Sequence, residues 1–342
     1  MKTEDIWIAS IGAQVPPPMS TRQAVDEGLY DPESHDWHGW TGAAVAGDTP
    51  APDLAIAAAR QALERWPGGH LADVVMHLHA GAFTQGPSAW SSQHYVLNAL
   101  GDCAAPSIRI SQGCTGLLAG LELAAAYLAT APAHAAALLT GSDNVGVPGI
   151  NRWSLGFQYG PVGDSGSALV LSRSPGLARL LAVGSASLPE AERVARGDAP
   201  IFPPSVDTEP ASGLRRRLEQ HRTAGESSSL ALQFSEIRTE TVLRTLAEAN
   251  LAPGDISRVT HNFIGHERYL KSVLAPIGLS VRQGVLDYGR SVGHLTVNEQ
   301  VIGLEHLLVT DQVHPGDHVL LLGFSGPTST TCSVVRIERS LP

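Results

Sequence analysis

The stretch Ser-Ile-Arg-Ile-Ser-Gln-Gly-Cys-Thr-Gly-Leu-Leu-Ala-Gly, residues 107–120, places a thiol between two regular elements. Its first residues are typical of a short strand, and the Leu- and Ala-rich run that continues to Thr130 without a proline predicts a long helix. Cys114 therefore lies at a strand-to-helix turn, where free backbone N–H groups and the helix dipole stabilise a thiolate. This position favours a nucleophile, and the alternative is a small structural thiol buried in the core.

The elements around this turn occur twice along the chain. In the first half, a predicted helix at residues 54–66 precedes a predicted strand at residues 73–79, and a further strand follows the Cys114 helix at residues 135–141. The second half repeats the order strand, loop, helix, strand, with the strands at residues 258–261 and 318–323. Such a repeat predicts an α/β protein made of two similar layered halves.

The two halves are expected to be residues 1–173, which carry the thiol, and residues 174–342. At the start of the second half, the segment of about residues 174–230 is rich in Pro, Ser, Arg and Glu and has no sustained periodicity. We therefore interpret that segment as irregular. Long irregular connections form either solvated loops or the walls of a substrate site.

Composition excludes several classes of function. The chain is 43% hydrophobic and carries a net charge of −10, so a broad phosphate-binding surface and hence a nucleic-acid partner are not expected. The cysteines, Cys103, Cys114 and Cys332, are odd in number and widely spaced, which fits neither a disulfide framework nor a metal site. The first residues do not form a leader, and no apolar run is long enough for a membrane span, so we expect a cytoplasmic protein.

The segment Ser-Gln-Gly-Cys-Thr-Gly-Leu-Leu-Ala-Gly, residues 111–120, resembles the nucleophile segment of ketoacyl-ACP synthase III enzymes of the thiolase superfamily. Residues 140–143, 162–171 and 316–326 resemble further segments of that family, in the same order along the chain. The resemblance implies a thiolase-like fold with layered helices and mixed sheets, and a homodimer.

The resemblance also implies two catalytic partners for Cys114, although this sequence departs from the family at both motifs. The family's histidine opens a His-Gln-Ala-Asn motif, of which this chain keeps only His261. The family's asparagine follows a glycine, and here His294 follows Gly293. The resemblance therefore implies a set of Cys114, His261 and His294, with Arg290 as the alternative at the asparagine position.

Other family positions concern the oxyanion and the acyl donor. The family binds the oxyanion with the backbone N–H groups of the cysteine and of a C-terminal glycine, which correspond to Cys114 and Gly326. Weak matches to the coenzyme A-binding residues are Trp37, Trp40 and Arg152. An Ala-Ala pair replaces the family's Ile-Arg pair after Thr41-Gly42, which makes an acyl carrier protein a more attractive donor than coenzyme A.

The sequence thus predicts an acyltransferase that carries its acyl group as a thioester on Cys114. The donor would be acyl-CoA or the phosphopantetheinyl thioester of an acyl carrier protein, with no bound cofactor and no metal. The acceptor is either malonyl-ACP, in a decarboxylative condensation, or a hydroxyl or amine of a natural product in polyketide or related secondary metabolism. A catalytically silent partner subunit of a ketosynthase is the alternative from another class.

Overall fold

The computed structural model describes residues 1–147, 150–155, 160–202 and 227–341. The strands are β1 (Trp7–Gln14), β2 (Pro18–Ser20), β3 (Gly42–Ala44), β4 (Val74–Ala80), β5 (Ser107–Ile110), β6 (Ala136–Asp143), β7 (Ser165–Ser172), β8 (Ala178–Ser187), β9 (Ile256–Thr260), β10 (His318–Ser325) and β11 (Ser329–Ile337). The helices are α1 (Thr21–Asp26), α2 (Pro32–His38), α3 (Ala51–Glu64), α4 (Ser92–Leu100), α5 (Gly116–Leu128), α6 (Glu192–Arg196), α7 (Ser227–Glu248), α8 (Glu267–Leu274), α9 (Leu286–Val292) and α10 (Glu299–Val309).

One large mixed sheet contains the two halves of the chain side by side. Its strand order is β5-β4-β6-β7-β1-β8-β11-β10-β9, and the halves meet where β1 pairs antiparallel with β8. The order β4-β6-β7-β1 of the first half corresponds to β9-β10-β11-β8 in the second. In both sets the first two strands are parallel, and the following neighbours are antiparallel. The prediction of an α/β thiolase-like fold with an internal pseudo-duplication is confirmed.

Each half has one helix in the central hydrophobic cluster and one helix on the outer face of its strands. Buried leucines of α5 and buried Val, Ile and Leu side chains of α10 belong to the same central hydrophobic cluster. On the outside, α3 packs on β1 and β7, and α7 packs on β8 and β11. Both outer helices approach their strands closely at a glycine. A Cβ on Gly12 would lie 2.1 Å from the Ala58 carbonyl oxygen, and one on Gly184 would lie 2.1 Å from Thr245 Oγ1.

The interpretation of residues 174–230 as irregular is wrong for part of the segment. Residues Ala178–Ser187 form β8, which lies at the centre of the sheet between β1 and β11, and Glu192–Arg196 form α6. The neighbours on both sides satisfy the backbone of β8, so a strand forms although its sequence has little apolar periodicity. Residues 203–226 of the segment lie outside the described residues.

None of the helices in the described ranges is long and apolar enough to cross a membrane.

Candidate active site

Cys114 lies where the sequence places it, at the junction of β5 and α5. A 3-10 turn, Gly113–Thr115, connects the strand end to the helix. Gly113 has a φ of +53°, and a Cβ at this position would lie 2.1 Å from Ser325 Oγ at the end of β10. A glycine is therefore required both by the left-handed backbone and by the close approach of the second half of the chain.

His294 is in contact with the thiol. Its Nε2 lies 3.3 Å from Cys114 Sγ, and only 5% of its surface is exposed. Gly293, at a φ of +82°, ends α9 and turns the chain inward, and the His294 backbone N–H then donates to the Pro161 carbonyl. The turn places the imidazole at the N-terminus of α5, beside a thiol that lies 180 residues earlier in the chain.

The other ring nitrogen of His294 contacts Glu299, the first residue of α10. The distance from Nδ1 to Oε1 is 2.7 Å, and the glutamate is fully buried. The same oxygen accepts hydrogen bonds from the backbone N–H groups of Phe263, at 2.8 Å, and Leu295, at 3.0 Å. Two backbone donors therefore fix the carboxylate, and the carboxylate fixes the orientation of the imidazole.

The electrostatics of this pair stabilise the imidazolium, which is the state that His294 reaches when it takes the proton of Cys114. Burial lowers the pKa of His294, but the charges of Glu299 and Cys114 and the hydrogen bonds to both outweigh burial and raise this pKa well above its usual value. Burial raises the pKa of Glu299, and the imidazole and the two N–H donors partly offset that increase. Cys114 Sγ contacts His294 Nε2, and His294 Nδ1 contacts Glu299 Oε1. In this arrangement the imidazole can accept the proton of an attacking thiol.

Glu299 is the residue of the candidate site that the sequence analysis missed. It lies five positions after His294, at the start of a helix whose next residues, Gln300 and Val301, are also buried. A fully buried glutamate requires a partner, because an unpaired buried charge is costly. A charged residue at the start of the helix predicted between the two strands of the second half was the available signal.

Within the described residues, His261 makes no hydrogen bond to the Cys114 thiol. His261 follows β9, is fully buried, and donates from Nδ1 to the Asn262 carbonyl at 2.6 Å. Its Nε2 accepts from the backbone N–H of Val285 at 3.2 Å. Burial lowers its pKa to about 4. Because both ring nitrogens are occupied, the expected set of Cys114, His261 and His294 is corrected to Cys114, His294 and Glu299.

Arg290 does not occupy the position beside the thiol. It belongs to α9, donates from Nε to the Gly265 carbonyl at 2.7 Å, and pairs with Asp287. Of the two alternatives for the family's asparagine position, the structure therefore places His294 at Cys114.

The predicted oxyanion donors, Cys114 and Gly326, each follow a residue of the close contact between Gly113 and Ser325. Gly326, with a φ of +51°, directly follows Ser325, whose hydroxyl packs against Gly113 next to Cys114. Within the described residues, the backbone N–H groups of Cys114 and Gly326 donate no hydrogen bond. Their role in binding an oxyanion stays a prediction.

The residues predicted to bind the donor have different surroundings. Trp37 is 67% exposed on α2, and its ring lies 5.5 Å from that of His266. Trp40 is buried, so it belongs to the core. Arg152 makes two hydrogen bonds of 2.9 Å to the buried carboxylate of Asp164. An arginine committed to a buried ion pair is not available for a nucleotide, and this expectation for Arg152 is corrected to a structural role.

Among the described residues, no group of three or more His, Cys, Asp or Glu side chains has a geometry that could hold a metal ion.

Comparison with known proteins identifies relatives with this architecture. Residues 246–337 match the family model of the C-terminal region of 3-oxoacyl-[acyl-carrier-protein] synthase III. The chain is 36% identical to ChlB3, which is described as an acyltransferase. The two structures have a TM-score of 0.93, and the alignment covers 98% of this chain and 99% of that one. No curated protein sequence matches the chain.

Two more distant structures share the fold. One is 3-oxoacyl-(acyl carrier protein) synthase III, FabH, from Pseudomonas aeruginosa, at 19% identity and a TM-score of 0.73, with 98% of this chain and 99% of that chain covered. The other is a variant of OleA from Xanthomonas campestris, at 16% identity and a TM-score of 0.76, with 98% of both chains covered. With its fold, its thiol and its similarity to ChlB3, the chain belongs to the ketoacyl-ACP synthase III-like family of the thiolase superfamily, a family of condensing enzymes and acyltransferases.

Proposed function

We propose that this protein transfers an acyl group from a carrier thioester to Cys114 and then to a hydroxyl or amine of a natural product. The observation that carries the proposal is the position of His294, which lies between the Cys114 thiol and the buried carboxylate of Glu299. An imidazole oriented in this way can take a proton from a nucleophile in each half of the reaction.

In the first half-reaction, Cys114 Sγ attacks the carbonyl carbon of the donor thioester while His294 Nε2 takes the thiol proton. The carrier thiol leaves with that proton, and the acyl group remains on sulfur. In the second half-reaction, His294 takes the proton of the acceptor O–H or N–H as the acceptor attacks the acyl-enzyme. Cys114 is then released as a thiol, with the proton returned by His294.

The alternative acceptor is malonyl-ACP, with decarboxylation and carbon–carbon bond formation. That reaction requires a thioester enolate, which hydrogen-bond donors at its oxygen stabilise. Only one imidazole contacts the thiol within the described residues, since His261 is occupied by Asn262 and Val285. A single imidazole paired with a carboxylate favours a general base over an enolate-binding pair of donors.

Both possible donors carry the same phosphopantetheine arm. An acyl carrier protein is favoured over coenzyme A, because Arg152 is committed to Asp164 and Ala43-Ala44 supplies no basic group. Trp37 is the one exposed aromatic residue of the predicted donor set. The departures from the ketosynthase pattern support a place in secondary metabolism, such as polyketide biosynthesis. The contact between Cys114 and His294 argues against a catalytically silent subunit, which has no chemical need for it.

The first test is intact-protein mass spectrometry after incubation with acyl-CoA and acyl-ACP donors. The matched variants are Cys114→Ala and Cys103→Ala, since both cysteines are partly exposed free thiols. We expect an acyl-sized mass gain in the wild type and in Cys103→Ala, and none in Cys114→Ala. A gain that persists in Cys114→Ala would contradict the thioester.

The second test identifies the acceptor. Acyl-enzyme separated from the donor is mixed either with a series of alcohols and amines or with malonyl-ACP, and the mass of the protein is followed. Loss of the acyl group to an alcohol or amine, with an ester or amide as product, supports the proposal. Discharge by malonyl-ACP alone, with release of CO₂, would establish condensation instead.

A further inference from the structure

A cavity that Cys114 does not line lies between β9, α9 and α10. Its volume is about 410 Å³, within the range of roughly 300–1,000 Å³ that is typical of small-molecule sites. Gly284 and Val285 form part of its wall. A Cβ on Gly284 would lie 2.7 Å from His261 Nε2, and the Val285 N–H donates to that nitrogen. The cavity shares no lining residue with the set of Cys114, His294 and Glu299.

The charges at this cavity are not balanced. Arg258, Arg282 and Arg290 line it, together with Glu267 and Asp287. Asp287 is paired with Arg290, and Glu267 is exposed and makes no ion pair within the described residues. The charged side chains of the lining therefore carry a small net positive charge, in a chain whose net charge is −10.

Two of these arginines have no carboxylate partner in the described part of the chain. Arg258 is half-buried and donates one hydrogen bond, from Nη2 to the Gly284 carbonyl at 3.1 Å, while its Nε has no partner. Burial lowers its pKa, as expected for a guanidinium that lacks a counter-charge. Arg282 is exposed, and its guanidinium forms no hydrogen bond or ion pair within the described ranges.

The rest of the wall is flat and partly apolar. The Tyr288 ring stacks on the His306 ring, with centroids 3.8 Å apart and an interplanar angle of 4°. Val281 and Leu286 add aliphatic surface, and the Gln312 amide adds a polar group. Burial, and then the charge of Arg258, lowers the pKa of His306.

We propose that this cavity is a binding site for a small molecule that carries a phosphate or carboxylate group on a flat, partly apolar body. The Arg258 and Arg282 guanidinium groups would hold the oxyanion, since planar guanidinium groups bind such oxygens through paired, charge-assisted hydrogen bonds. The apolar body would lie along the wall formed by Tyr288, His306 and Leu286. Neither the acyl transfer reaction nor the donor site requires this second site.

Isothermal titration calorimetry at constant ionic strength tests the proposal with probes of defined chemistry. Phenyl phosphate combines the two required features, phenol lacks the charge, and inorganic phosphate lacks the ring. We expect saturable, one-to-one binding of phenyl phosphate, weaker binding of inorganic phosphate, and none of phenol. Adenosine 3′,5′-bisphosphate distinguishes a nucleotide source of the phosphate, such as coenzyme A, from a smaller metabolite.

The matched variants are Arg258→Gln, Arg282→Gln and, as control, Arg22→Gln, which removes an exposed arginine of α1. We expect the first two to weaken phenyl phosphate binding about tenfold or more, and the control to leave it unchanged. Because Arg282 is exposed, its replacement tests the site even if Arg258→Gln does not fold. Absence of saturable binding, or binding that Arg282→Gln leaves unchanged, would overturn the proposal, as would binding that only Trp37→Ala removes.

Discussion

At the scale of single residues, Glu299 decides what His294 can do. A carboxylate at Nδ1 fixes which nitrogen of the imidazole faces the thiol and stabilises the positive charge that forms there. Its Oε1 accepts three hydrogen bonds, including two from backbone N–H groups, so its position is determined more strictly than that of a surface glutamate.

Replacing Glu299 with glutamine should separate charge from shape. The amide oxygen can still accept from the same donors, but the negative charge that raises the pKa of His294 is lost, so this pKa should fall. We expect the histidine to titrate at lower pH in Glu299→Gln than in the wild type, and kcat to fall about 100-fold or more. NMR titration of the imidazole and steady-state kinetics measure the two effects.

Glu305→Gln is the control on the same helix, because Glu305 pairs with Arg65 and not with His294. Its His294 titration and its kcat should match the wild type. A kcat of Glu299→Gln equal to that of the wild type would contradict the role assigned to the carboxylate.

At the scale of secondary structure elements, the two outer helices lie close to the sheet because glycines face them. Gly12 of β1 faces α3, and Gly184 of β8 faces α7, in corresponding places of the two halves. A side chain at either position would push the helix away from the strand. The glycines therefore set the distance between the layers, which the apolar residues then fill.

Gly12→Ala should destabilise the protein by about 2 kcal/mol or more in the free energy of unfolding. The added Cβ would meet the Ala58 carbonyl oxygen at 2.1 Å and the Ala62 nitrogen at 2.9 Å, and backbone atoms cannot rotate out of the way as side chains can. Urea denaturation followed by circular dichroism measures the change.

Gly254→Ala is the matched control, since a Cβ there meets nothing within 4 Å. Its free energy of unfolding should stay within about 0.5 kcal/mol of the wild type. Equal effects of the two substitutions would show that the approach of α3 to β1 does not limit packing.

At the scale of the whole molecule, several buried histidines remain neutral in the folded state. Burial and the neighbouring His79 and His94 lower the pKa of His77 to about 3, and burial and Arg109 lower that of His79 to about 4. Both rings belong to β4 and contact the hydroxyl of Thr140 on the neighbouring strand β6. His261 also has a pKa of about 4, again because of burial.

These shifts predict a loss of stability in weak acid. The unfolded histidines take up protons near pH 6.5, whereas the folded ones do so only near their lowered values. Between these limits these three histidines bind more protons in the unfolded chain, so their contribution to stability falls as the pH decreases through that window, whereas Asp143, whose pKa burial raises to about 6, acts in the opposite sense. The free energy of unfolding, measured in urea at a series of pH values, should decrease from about pH 6.5 towards about pH 4.

The contribution of one group can be isolated with His79→Asn, which should flatten this pH dependence while an amide still reaches Thr140. His314→Gln, which alters an exposed histidine, should leave the pH dependence as in the wild type. A wild-type stability that is constant over the whole window would contradict the prediction.

The fold and the position of Cys114 could be predicted from short stretches of sequence. Cys114 stands between a strand pattern and a helix pattern, and the repeated order of elements predicts two similar halves; both depend on local propensity and periodicity. The strand β8 was not predicted, because it forms through pairing with its neighbours β1 and β11 and its own sequence has little periodicity.

By itself, the sequence determined the type of fold, the acidic character of the chain and the place of the thiol at the start of a helix. Only the tertiary structure decided which side chains reach that thiol. His261 follows a strand in the expected motif, yet its two nitrogens are occupied by the local backbone, whereas Glu299 reaches the site through His294. The physical reason is that propensity and periodicity act between near neighbours, while the partners of a buried polar group are set by the packing of distant segments.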